Sequence, residues 1–182
     1  PQITQNEMAP STVADLAGQF ANFYLFKDTS GFDRVATGGV DLQNVFLVRG
    51  AEGDYLPWYQ AAAGPYDGFL LSSANGFAEQ LHRMITAAER GDQAEAQAAV
   101  QAISPAMTQV MEWVQIVPVG NAFTNANKAI DHFMAHGPSA ARIPPPRLHA
   151  GPRLETDLIQ RVGRLLQQLD LMPATGYLEH PA

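Results

Sequence analysis

The sequence contains no cysteine, which excludes disulfide staples, thiolate nucleophiles and thiolate metal sites together. Lysine is nearly as scarce. Of 11 basic residues only Lys27 and Lys128 are lysines, so any amine chemistry must use one of two positions. No apolar run approaches the roughly 20 residues that span a bilayer, and the first residues show neither the basic start nor the apolar core of a signal segment. These absences favour a soluble, cytoplasmic protein with no membrane partner. Positive charge is short as well: 11 Lys and Arg stand against 18 Asp and Glu, a formal net charge of -7. The arginines are scattered and form no stripe that would neutralise phosphates, so nucleic acid is not an expected partner.

Apolar material is plentiful. At 182 residues and 46% hydrophobic, the chain has enough for a sizeable core and for one domain or slightly more. Phe23-Tyr24-Leu25-Phe26 is a short, wholly apolar run of the kind buried on both faces of a parallel sheet, and it ends at Lys27. Val45 to Val48 repeats the pattern and stops at Arg49-Gly50. Gly68 to Leu71 repeats it again before Ser72-Ser73-Ala74-Asn75-Gly76. Between these runs, Ser11 to Phe20, Asp33 to Val40 and Tyr55 to Ala63 read as helices, the first opened by Pro10-Ser11. Strand alternating with helix predicts an α/β fold with a parallel sheet. After Gly76 the spacing turns helical over Phe77 to Glu89, Gln93 to Val114 and Ala122 to Met134. A proline-rich loop, Ile143 to Pro146, precedes a last amphipathic helix at about Leu154 to Leu169, whose stripe includes Leu158, Val162, Leu165, Leu166 and Leu169.

Lys27 closes the first apolar run. An amine that attacks a ketone must be unprotonated, and bringing a lysine down from its usual 10.4 by about three units costs roughly 4 kcal/mol, which burial in an apolar setting can impose. On position alone the better reading is a lysine that marks where a strand emerges into water, paired with Asp28.

Phe26-Lys27-Asp28-Thr29-Ser30-Gly31 resembles the Schiff-base strand of the dihydrodipicolinate synthase and N-acetylneuraminate lyase family. Tyr66 to Asn75 is similar to that family's last barrel strand with its small-residue and Ala-Asn turn, and Ala88 to Asp92 with Glu95-Ala96 to its Gly-Asp turn between long helices. Asn127-Lys128-Ala129-Ile130 and Arg142 to Leu148 resemble the family's Lys-Ala helix and its proline-rich approach to the final helix, so the likeness runs over nearly the whole chain.

The resemblance implies the C-terminal part of a (β/α)8 barrel, about strands 6 to 8, over residues 1-90, then a C-terminal helical domain over 91-182. It implies a class I aldolase or lyase in which Lys27 forms the Schiff base with pyruvate or another 2-keto acid. Thr4, Thr29, Gly50, Ser72 and Ser73 are then the substrate-binding candidates. No metal or cofactor is called for, because the iminium is itself the electron sink. The partners implied are 2-keto acids, aldehydes and further copies of the chain, as dimers or tetramers. Pro1 to Thr4 would end the fifth strand's motif, which places the proton-relay tyrosine and the carboxylate-binding Thr-Thr pair before Pro1. The family's authentic dihydrodipicolinate synthases carry an arginine where Ile3 stands, and isoleucine makes no bidentate carboxylate clamp. A 2-keto-3-deoxy sugar acid is therefore as good a substrate as the lysine-biosynthesis aldehyde. A non-catalytic half-barrel that serves assembly is the rival, since a half-barrel exposes sheet edges and a cut core.

Other residues have plainer readings. Ser72, Ser73 and Asn75 fit either a substrate-binding edge or a polar turn that satisfies its own backbone. Gly50, Glu52 and Asp54 can also face the pocket, but Asp54 is better read as the cap of the next helix. Lys128, among Asn125, Asn127 and Asp131, reads as a solvated helix lysine. His132 and His136 share a helix face but lack the glutamate and third ligand of a metal site.

Overall fold

The computed structural model describes residues 7–149 and 151–179. In chain order its elements are α1 (Pro10–Gln19), β1 (Leu25–Asp28), α2 (Arg34–Thr37), β2 (Phe46–Arg49), α3 (Tyr55–Trp58), β3 (Gly68–Phe69), α4 (Ala74–Glu89), α5 (Gln93–Val100), α6 (Ile103–Val114), α7 (Ala122–His136) and α8 (Thr156–Gln168). Short 3-10 turns occupy Gln60–Ala62 and Gly137–Arg142.

The fold is α/β, and its sheet is parallel with the order β1-β2-β3. Leu25 pairs with Phe46, Lys27 with Val48, and Val48 in turn with Gly68. The ladder runs beyond the strands proper: Gly50 N–H donates to Asp28 O at 2.6 Å and Leu70 N–H to Arg49 O at 3.0 Å. Side chains alternate across a strand, so Leu25, Lys27, Phe46, Val48 and Leu70 share one face, and Asp28, Leu47, Arg49 and Phe69 share the other. The second face is packed: Phe69 lies against Tyr55 and Tyr59, with ring centroids 6.3 and 5.7 Å apart.

The first face is open among the described residues. Leu25, Phe46 and Leu70 are 49%, 48% and 55% exposed, although Val48 is buried. This corrects the reading of Phe23 to Phe26 as buried on both faces. β1 is an edge strand, and Tyr24 and Leu25 meet solvent there. β3 is shorter than expected, ending at Phe69 rather than Leu71.

The longer helices follow the 3.6-residue pattern, but the expected helices over Asp33 to Val40 and Tyr55 to Ala63 shrink to α2 and α3, of four residues each, the second followed by a 3-10 turn. The expected helix over Gln93 to Val114 is two helices, α5 and α6, broken at Gln101–Ala102. Pro105 explains the break. A proline has no N–H to donate, and in the first turn of α6 that N–H has no helical partner anyway. Meanwhile α4 starts earlier than Phe77, which is a kink within it (φ -129°, ψ 31°). Asp92 caps α5 by accepting from Glu95 N–H at 3.0 Å, and Asn121 caps α7 by accepting from Phe123 N–H at 2.9 Å.

Helices α4 to α8 enclose one hydrophobic cluster that takes side chains from Tyr55 through Leu171 and so draws on both sides of position 90. Met84, Ile103, Met107, Ile130, Phe133 and Leu166 are fully buried within it, each contributing about 1.5–3 kcal/mol of transfer free energy. Helix α8 docks through Leu158, Ile159, Val162 and Leu166. Gly163 permits its approach to α7: a Cβ there would lie 2.6 Å from the Phe133 ring. No helix among the described residues is long and apolar enough to cross a membrane.

Candidate active site

Parallel strands deliver their carboxyl ends to one edge of a sheet, and that edge gathers the residues singled out by sequence. Lys27 ends β1 on the open face and is itself exposed. Asp28, next along the strand, points to the packed face, where it is buried and accepts Ser30 N–H at 2.9 Å. The two neighbours therefore part company by strand alternation rather than pairing. Gly50 follows β2 directly and is buried. A Cβ built at Gly50 would strike Lys27 Cε and Thr29 Oγ1 and sit 3.3 Å from Lys27 Nζ, so the lysine stem and the threonine hydroxyl fill the space that the glycine leaves. Lys27, Thr29 and Gly50 thus form one cluster.

Ser72 and Ser73 form a second cluster, after β3. Its centre is Glu52, whose carboxylate accepts the Ser72 hydroxyl at 2.6 Å, the Ser73 N–H at 2.9 Å and the Tyr55 hydroxyl at 3.0 Å. Burial pushes the Tyr55 hydroxyl well above the ordinary tyrosine range, and the neighbouring Glu52 charge adds to the rise. The Gly50–Ala51–Glu52 segment joins the two clusters. Asp54 does not cap α3: it has a left-handed backbone (φ 46°) and makes no side-chain cap bond. The acidic residue that organises this loop is Glu52, which reaches across to another strand's turn. Thr4 lies outside the described residues.

Beneath the edge, Arg49 and Asp33 make a buried ion pair. Arg49 Nε and Nη2 donate to the two Asp33 carboxylate oxygens at 2.9 and 3.0 Å, and Nη1 donates to Ala51 O and Gly53 O at 3.2 and 3.0 Å. The guanidinium also lies 4.5 Å from the centre of the Trp58 ring. The Tyr66 hydroxyl donates to Asp33 Oδ1 at 2.6 Å; burial first, and this bond second, raise its pKa strongly. One arginine so holds the chain on both sides of Gly50. Sequence reading took Arg49 only as a strand end.

One further reading changes. Lys128 is a half-buried residue, with Nζ donating to Arg147 O at 2.6 Å, rather than a solvated helix lysine. It stands on a groove of about 550 Å3 with Ser72, Asn75, Phe123, Asn127 and Asp131. His132 is buried with Nε2 2.9 Å from Ala140 O, and burial lowers its pKa. Among the described residues no group of three or more His, Asp or Glu side chains is arranged to hold a metal ion.

Compared with known proteins, the chain finds no matching family model, no matching curated protein and no matching solved structure.

Proposed function

We propose that the chain is a Schiff-base-forming lyase of the class I aldolase type, with Lys27 as the nucleophile toward pyruvate or another 2-keto acid. The observation that carries this reading is the place of Lys27: at the carboxyl edge of a parallel sheet, on its open face, packed over Gly50 and Thr29. Enzymes with parallel sheets gather their sites at that edge. The proposal includes the finer fold, the C-terminal part of a (β/α)8 barrel followed by a helical extension. Further strands, or another copy of the chain in a homo-oligomer, would then cover Leu25, Phe46 and Leu70 and desolvate the amine.

In the reaction, the neutral Nζ of Lys27 adds to the C2 carbonyl, and the resulting carbinolamine loses water to give an iminium. The iminium draws electrons from C3, which gives up a proton to leave an enamine. The enamine carbon then forms a bond to an aldehyde carbon, or in the reverse direction that bond breaks; hydrolysis frees the lysine. In this reading Thr29 Oγ1, which lies beside Lys27 over Gly50, donates a hydrogen bond to the keto acid at the rim. The substrate is a 2-keto-3-deoxy sugar acid or, alternatively, the aldehyde of authentic dihydrodipicolinate synthase, and the compartment is the cytoplasm.

A second reading, a non-catalytic assembly subunit, is favoured by the apolar open face. Borohydride reduction in the presence of pyruvate separates the two. The enzyme reading expects one reduced adduct on Lys27 by peptide mass spectrometry, absent in Lys27→Ala. A folded protein that gains no adduct, or gains it equally on Lys128, refutes it.

A further inference from the structure

The groove beside the Ser72 turn has a lining whose hydrogen-bonding sense can be worked out atom by atom. Asn75 Nδ2 donates to Ser72 O at 2.7 Å and Asn127 Nδ2 to Phe123 O at 2.7 Å. A carbonyl oxygen can only accept, so these contacts fix which amide atom is nitrogen, and each amide keeps its oxygen for another partner. The Ser72 proton is committed to Glu52, and the Tyr177 proton to Asp131, 3.2 Å from both carboxylate oxygens. Ser72, Asp131 and Tyr177 are thereby left as acceptors, while Asn75 and Asn127 each keep an acceptor oxygen and one free amide proton. The Lys128 ammonium, with one proton on Arg147 O, has two protons left to give, and the Thr124 hydroxyl can give one.

A lining that offers both acceptors and protons suits a ligand whose groups both donate and accept. A hydroxyl does both, whereas an ammonium only donates, and the charges agree with a polyol. Lys128 and Asp131 sit three residues apart on α7, neighbours on the helix surface. The lysine opposes a cationic amine and the aspartate opposes an anion, so a neutral molecule meets no net penalty. The side chains of Phe123 and Tyr177 add apolar faces to the groove, which suit the C–H faces of a sugar ring.

We infer that this groove binds a neutral polyhydroxylated molecule, a monosaccharide or sugar alcohol, through acceptors and protons on α7 and the Ser72 turn and through the Tyr177 oxygen. The site stands apart from the chemistry of Lys27, and it shares with that reading only the Ser72 turn.

The test is saturation-transfer NMR and calorimetric titration of the intact chain with glucose, galactose, xylose and sorbitol, alongside spermidine. Saturable binding of at least one sugar or polyol is expected. It should weaken about tenfold in Thr124→Val and in Asp131→Ala, while both variants keep the parent melting temperature within a few degrees. Lys27→Ala should bind as the parent does, even if Schiff-base trapping fails altogether. Absence of saturable polyol binding overturns the inference. Preference for spermidine, or sugar binding that both folded groove variants retain in full, overturns it as well.

Discussion

Replacing Arg49 by methionine tests whether the ion pair under the site edge is as consequential as its burial implies. Arg49 and Asp33 are 5% and 2% exposed, so neither charge has water to fall back on. In Arg49→Met the Asp33 carboxylate keeps only the Tyr66 hydroxyl and loses both guanidinium bonds, and Ala51 O and Gly53 O each lose a donor. Stranding one member of such a pair costs about 3–5 kcal/mol, against a total stability of roughly 5–15 kcal/mol for a domain. The partner change is Asp33→Asn, because Asp33 has φ 55° and asparagine tolerates that left-handed backbone. It strands the guanidinium instead. The double variant removes both charges and should recover a good part of the loss, giving a coupling of about 2 kcal/mol or more. Urea unfolding followed by fluorescence measures all three, with Trp58, which lies against Arg49, as an internal reporter. Single-variant losses below about 1 kcal/mol, or additive effects in the double variant, would refute the reasoning.

Two other outcomes follow from the geometry. In Gly50→Ala the new Cβ meets the flexible end of Lys27 as well as Thr29 Oγ1, so the lysine should be displaced at a stability cost near 1 kcal/mol. Borohydride trapping with pyruvate should slow by about tenfold or more, and an unchanged trapping rate would show that the Gly50 cleft does not position the amine. Tyr59 donates to Glu89 Oε1 at 2.8 Å, and burial first, that bond second, push its pKa up to about 12. A raised pKa means the folded state favours the neutral phenol, so the associated stability is complete below pH 10 and is lost as pH rises through 12. Alkaline denaturation of Tyr59→Phe should therefore lack part of the parent's loss between those values; superimposable curves would contradict it.

Much of the scaffold was legible locally. Runs such as Val45 to Val48 announced strands because they are short, rich in valine and aromatic residues and closed by a glycine, and the stripe Leu158, Val162 and Leu166 announced α8. The break between α5 and α6 is also written in the sequence, in Pro105, although the surrounding alanines and glutamines suit an unbroken helix.

The site was legible only in part. That Lys27, Gly50 and Ser72 end successive strands could be read from the chain, and parallel pairing then brings them to one edge. The partners of the polar side chains could not. Glu52 binds a hydroxyl 20 residues away and Arg49 a carboxylate 16 residues back, and the groove joins Ser72 to Tyr177.

By itself, then, the sequence determined where the three strands and the longer helices lie, to within a few residues, and that an amine could act from only two positions, because apolar periodicity and residue identity are local properties. Tertiary structure decided that Lys27 faces solvent on an open sheet, that Glu52 rather than Asp54 organises the loop, and that Lys128 lines a groove. Burial and hydrogen-bond pairing depend on which distant elements pack together, and no single stretch of chain contains that information.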